Sequence, residues 1–224
     1  DQEGNANACI PDIETGIMKL VKLDLTGGQR PFYPAWSRDM KSVYYIDSTR
    51  VMALDIETGE CREIANDTNR PWNLDISPDG KTLAYAVPNM EIKAFVLRTV
   101  DVSNGEIHDV VRIQNKGEVT DITDPSQLEK ARQVRGMCWA PDGRSLYCYI
   151  LLWPASNKAE DQIVELWNFP IDGSTPKRFY EGNEFGCGCL RFHPDGKRFA
   201  FRMTSLSYEI WEMQNFLPKD NDKK

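Results

Sequence analysis

One short pattern, met four times, constrains the fold of this 224-residue chain more than any other feature. Residues 34–45, 74–85, 137–148 and 190–201 align without gaps, each reading as a strand, a tight turn and a returning strand. Such self-similarity is the mark of a repeat architecture. Three copies place Pro78, Asp79 and Gly80, Pro141, Asp142 and Gly143, or Pro194, Asp195 and Gly196 at the turn, followed by Lys81, Arg144 or Lys197. Proline presets φ, the aspartate carboxylate can bond its own backbone, and glycine accepts the positive φ that the turn requires. The first copy reads Arg38, Asp39, Met40 and Lys41, so a looser or differently closed turn is expected there.

Period-two alternation assigns the buried faces. Trp36, Ile76, Trp139 and Phe192 share one core position, with Pro34, Leu74, Met137 and Leu190 two residues earlier. On the returning strand Val43, Leu83, Leu146 and Phe199 match, as do Tyr45, Tyr85, Cys148 and Phe201. Cys138 aligns with Ala35, Asp75 and Arg191 and faces away from Cys148, which argues against a disulfide between the two cysteines. Further strand-like runs follow at 50–56, 92–100, 162–169 and 208–213, and the first three lead through polar turns into runs at 61–64, 107–113 and 176–180. Four antiparallel strands per unit make a propeller blade, so the expected fold is all-β, a β-propeller of about four to five blades.

The spacing is uneven, with insertions at roughly 115–133 and 154–161 that read as rim loops, the first carrying a short helix begun by Asp124 and Pro125. Residues 17–28 resemble the second half of a blade, so the domain is expected over 17–218, with an N-terminal extension at 1–16 and a solvated charged tail at 219–224. Two arrangements stay open: residues 17–25 supply the outer strand of the last blade and close a small ring, or the chain is an arc of a larger propeller.

Composition removes several function classes. A net charge of -7 argues against a phosphate-binding surface, and so against nucleic acid. No apolar run approaches the ~20 residues of a membrane span, and the first residues carry no basic-then-apolar export signal. The six cysteines include no Cys-x-x-Cys pair and stand beside only two histidines, so neither a metal site nor a cofactor is expected. Cys187 and Cys189 share a strand face, where a bond between them would be strained. No nucleophile elbow, phosphate loop or paired-acid arrangement is present. His193 reads as a turn residue and His108 as an outer-strand residue, so no catalytic residue is proposed.

The run from Ser77 through Pro78, Asp79, Gly80 and Lys81 to Tyr85, with its echoes at 142–148 and 195–201, resembles the repeat of TolB-like propellers. The resemblance implies a non-catalytic binding or scaffold module of a bacterial envelope or sensor protein, periplasmic or extracellular, that engages a protein or peptide partner through the propeller face. Its alternative is the propeller portion of a peptidase- or lyase-type enzyme whose catalytic domain lies outside this chain. The expected binding surface is the axial mouth, where Arg30, Tyr33, Arg70, Trp72, Asn73, Arg135 and Arg191, beside Cys187 and Cys189, form a basic, aromatic-ringed funnel for an anionic group or a peptide. Open blade edges offer a second route to association.

Overall fold

The computed structural model describes residues 7–23, 25, 32–89, 91–92, 94–113, 132–152, 162–183, 187–193 and 195–203, and every regular element among them is a strand. Arg30, most of the two insertions, the run at 208–213 and the tail lie outside the described residues.

Each of the first three repeats folds into a four-stranded antiparallel meander. The first blade joins β3 (Phe32–Trp36), β4 (Ser42–Asp47), β5 (Arg50–Asp55) and β6 (Cys61–Asn66) in that order. The second joins β7 (Trp72–Ile76), β8 (Thr82–Asn89), β9 (Ala94–Asp101) and β10 (Ile107–Ile113), and the third β11 (Arg132–Trp139), β12 (Ser145–Leu152), β13 (Ile163–Pro170) and β14 (Lys177–Gly182). A fourth repeat contributes an inner hairpin, β15 (Cys187–Phe192) and β16 (Phe199–Met203). Neighbouring blades meet through their first strands, β3 on β7, β7 on β11 and β11 on β15, so these strands line the inner side of an arc. Arg132, placed by sequence within the first insertion, begins β11 instead.

Before the first blade stands half of another. β1 (Asn7–Pro11), within the stretch that sequence sets apart as an extension, pairs with β2 (Met18–Lys22) around a turn at 12–16. That turn repeats the outer turn of the first blade residue for residue: Asp12, Ile13, Glu14, Thr15 and Gly16 against Asp55, Ile56, Glu57, Thr58 and Gly59. In both, the aspartate carboxylate accepts two following backbone N–H groups and glycine closes onto the aspartate carbonyl at positive φ. β1 and β2 are therefore the third and fourth strands of a blade.

The core lies between blades. Tyr44, Ile46, Val51 and Ala53 of the first blade pack against Ile76, Leu83, Tyr85 and Val96 of the second. Ala84, Phe95 and Leu97 on the second blade's other face meet Met137, Trp139, Leu146 and Cys148 of the third. Burying each large side chain here contributes about 1.5–3 kcal/mol. The half-blade covers Tyr45, Met52 and Leu54 with Val21 and Leu23, but it does not reach the inner strand. Trp36, expected in the core, is consequently 40% exposed where Trp139 at the same position is 5%. A position is buried only when the preceding blade supplies its other wall.

The turns also lock the blades together. A Cβ at Gly143 would lie 3.6 Å from the Pro78 ring, one at Gly196 3.4 Å from Pro141, and one at Gly80 3.1 Å from the stem of Arg38. Each turn thus sits against the turn of the next blade. Arg38 adds hydrogen bonds from its guanidinium to the carbonyls of Ile76 (2.9 Å) and Ser77 (3.0 Å). The first turn closes as the others do despite lacking glycine. Met40 takes φ 62° and donates its N–H to the Ser37 carbonyl at 3.1 Å, matching Gly80 on Ser77 at 2.9 Å.

A buried polar clip joins the outer parts of the first and second blades. Asp67, at the end of β6, accepts both Tyr85 Oη at 3.1 Å and Arg98 at 2.7 and 2.8 Å, while Arg98 Nε reaches Asp109. In the third blade, buried Glu165 accepts from Arg132, Arg178 and the indole of Trp167. These ions are paired and hydrogen-bonded, as burial requires.

Candidate functional site

Every inner strand carries a bulge, at one shared place in the first, second and fourth repeats and slightly earlier in the third. The register shifts between Phe32 and Ala35, between Trp72 and Asp75, between Val134 and Gly136 and between Gly188 and Arg191. Tyr33 and Asn73 occupy this bulge with φ near 58° and 57°, an uncommon conformation outside glycine. Asn73 is buried there and donates its side-chain amide to the Val134 carbonyl at 2.8 Å, which ties the second blade to the third. Trp72 sits edge-on to Phe95 with ring centroids 5.9 Å apart, and the Arg135 guanidinium lies 5.7 Å over its ring. The structure therefore brings Trp72, Asn73 and Arg135 together as a joint between blades. Tyr33 is exposed on the first blade, Arg70 is half-buried in the loop entering β7, and Arg30 and the side chains of Cys187 and Cys189 are outside the described residues.

Arg191 belongs to a different group, nearer the turns. It shares one inner-strand position with Ala35, Asp75 and Cys138, and these four line a cleft of about 500 Å³ together with Arg38 and His193. The turns repeat their chemistry from blade to blade, whereas this position holds a methyl, a carboxylate, a thiol and a guanidinium in succession. Asp75 accepts the Trp139 backbone N–H at 2.9 Å. Burial pushes its carboxyl above the usual range, held back by that N–H and by the charge of Arg191. Burial likewise pushes the Cys138 thiol up, to about 12, so it behaves as an apolar group and not as a nucleophile. Arg191 bonds only the Leu190 carbonyl and forms no ion pair among the described residues. His193 is held in its turn, where its Nδ1 lies 3.2 Å from the Asp195 backbone N–H. The cleft offers one carboxylate, Asp75, and two guanidiniums, that of Arg191 and that of Arg38, the latter bonded to the carbonyls of Ile76 and Ser77, beside the aromatic Phe192. Among the described residues no cluster of metal-ligating side chains exists. Sequence reading reached Arg191 but not Asp75 or Cys138, although the gapless alignment that sets the four in one column was the signal that would have found them.

Twisted four-stranded meanders meeting through their first strands define the β-propeller class. No family model matches the chain, and no curated protein sequence does either. Solved structures do. TolB from Acinetobacter baumannii superposes with a TM-score of 0.61 at 16% identity, over 87% of this chain and 42% of that one. Hydrazine synthase from Kuenenia stuttgartiensis gives 0.58 at 18%, over 96% and 52%, and a putative TolB from Agrobacterium tumefaciens gives 0.57 at 16%, over 88% and 70%. The chain has a TolB-like β-propeller fold. It spans about half the length or less of the first two of these proteins, and the sheets among its described residues form an arc that is not closed. No described helix is long and apolar enough to cross a membrane.

Proposed function

We propose that this chain is a non-catalytic binding module that receives a protein or peptide partner at the cleft between Asp75 and Arg191. The observation that carries the reading is the contrast between the recurring turns and the changing inner-strand column of Ala35, Asp75, Cys138 and Arg191. The fold accounts for the turn residues that recur. It does not need a carboxylate whose burial works against its ionised form, and groups held at such a cost mark functional sites. Asp75 suits an ammonium or guanidinium of the partner, and Arg191 suits a carboxylate or backbone carbonyl, with Phe192 as an apolar wall. The envelope setting that the TolB-like repeat implies is part of the same reading.

Panning the immobilised chain against a random peptide library tests it. Recovered peptides are expected to lose at least tenfold in affinity with Asp75→Asn or Arg191→Ala, and to be indifferent to Lys197→Ala, an exposed residue of the β15–β16 turn that does not line the cleft. Binders indifferent to both cleft variants would remove the cleft as the site.

A further inference from the structure

The joint between the first and second blades holds a cation that the joint between the second and third lacks. Cross-strand pairing sets Tyr44, Ala53 and Arg62 in one row of the first blade, and Ala84, Thr99 and His108 in the same row of the second. Arg62 reaches over to the second blade, where both terminal guanidinium nitrogens donate to the Val102 carbonyl at 3.4 Å. The acids nearby belong to the repeat itself, since Asp79, Asp101 and Glu106 stand where Asp39, Asp55 and Glu60 do. What changes from one joint to the next is the basic residue.

With His108 in place of Arg62, the second joint opens into a cleft of about 500 Å³. Asp79, Asp101, Glu106 and Asp142 line it, and no described lysine or arginine does. Hydrogen bonds from Ser77 and Ser103 hold the carboxyls of Asp79 and Asp101 below the usual range, so both carry their charge; Lys81 acts on them from outside the lining. Among the described residues no three such groups converge as a metal ion requires, and dispersed acceptors suit a planar, delocalised cation better than a point charge. Trp139 lines the same cleft and is 5% exposed, and its indole Nε1 is buried with no hydrogen-bond partner among the described residues. A buried donor of this kind calls for an acceptor. Ile171, also in the lining, stands where Val102 does, each donating its backbone N–H to the carbonyl of a turn residue, Arg144 or Lys81.

We infer that this cleft receives an arginine side chain from a partner protein, its guanidinium taking the place that Arg62 fills in the neighbouring joint. The guanidinium meets the carboxylates of Asp101 and Glu106 and donates to the Ile171 carbonyl, as Arg62 does to that of Val102. Charge-assisted, forked hydrogen bonds of this type are the strong ones. The main-chain carbonyl of the same partner segment supplies the acceptor that Trp139 Nε1 lacks. The site adjoins the cleft between Asp75 and Arg191, with Pro78 and Trp139 in both linings, but it uses neither of those charges.

N-acetyl-arginine amide, titrated into the isotope-labelled full chain, tests the assignment. The indole N–H resonance of Trp139, identified through Trp139→Phe, is expected to shift saturably. N-acetyl-citrulline amide, of the same shape without the charge, should bind at least tenfold more weakly. His108→Arg installs the first blade's own cation and should abolish the shift with no loss of thermal stability, and Glu106→Gln should weaken binding severalfold. Asp75→Asn should leave the titration unchanged, which separates this site from the neighbouring cleft. An unmoved Trp139 resonance at millimolar probe, equal binding of the citrulline compound, or binding that survives both His108→Arg and Glu106→Gln would overturn the inference. So would binding lost with Asp75→Asn alone, which would place the probe in the other cleft.

Discussion

Gly105 and Gly173 both end an outer turn in the left-handed region, at φ +75° and +79°, yet they differ in what surrounds them. A Cβ at Gly173 meets nothing within 4 Å, whereas one at Gly105 would stand 2.4 Å from the backbone carbonyl oxygen of Ile64 on the preceding blade. Left-handed backbone costs an alanine roughly 1–2 kcal/mol, and the stiffer unfolded chain returns about 0.4–1 kcal/mol. Gly173→Ala should therefore lose about 0.5–1.5 kcal/mol. Gly105→Ala carries the same two effects and must also move a backbone strand, a further cost of about 1–3 kcal/mol as in overpacking. Because the dihedrals match, the difference between the variants reads the steric conflict alone. Urea unfolding followed by tryptophan fluorescence measures it, with slopes compared to confirm that the unfolding unit is unchanged. Equal losses within ~0.5 kcal/mol, or a larger loss at Gly173, would refute the close seating of the second blade's outer turn on β6.

Three further outcomes follow from the same geometry. Met40→Gly should raise stability by about 1 kcal/mol by relieving the left-handed methionine, seen as a thermal midpoint about 2–4 °C higher. Asp75 has a raised folded pKa, so its contribution is fully present below the unfolded value of 3.8 and is lost as pH rises through the raised one. Asp75→Asn should accordingly increase the urea midpoint at pH 7 and lose that advantage in acid, while Asp39, Asp79 and Asp101, held low by hydrogen bonds from their own turns, withdraw stability from wild type and variant alike as pH falls below 3.8. Alkylation at pH 8 should modify exposed Cys9 rapidly and reach buried Cys138 and Cys148 only on unfolding, a difference that peptide mass mapping resolves.

The blades were legible in the sequence because their turns demand particular residues. Pro78, Asp79 and Gly80 each answer a local backbone need, and local needs can be read without knowing the neighbours. The half-blade was equally legible in principle, since residues 12–16 repeat 55–59 identically. The bulges were not, because Tyr33 and Asn73 reach positive φ without the glycine that would announce it. Trp36 shows the other limit: its alternation assigns a face correctly, but burial depends on a wall contributed from elsewhere. The funnel residues divided for a similar reason. Trp72, Asn73 and Arg135 found partners on adjacent blades, contacts invisible within any one repeat, while Arg191 remained at the cleft.

The stacking of each turn on the next gives the repeat a portable joint. Within the second and third copies the proline is the projecting part and the glycine two residues later is the receiving part, so each of these copies carries both halves of the connection. Duplicating a repeat would then insert a blade that already fits on either side, with no new interface to evolve. The constraint runs the other way for point changes. A substitution at Pro78 is felt at residue 143, and one at Pro141 at residue 196, so compensating changes are to be sought across blades and not within them.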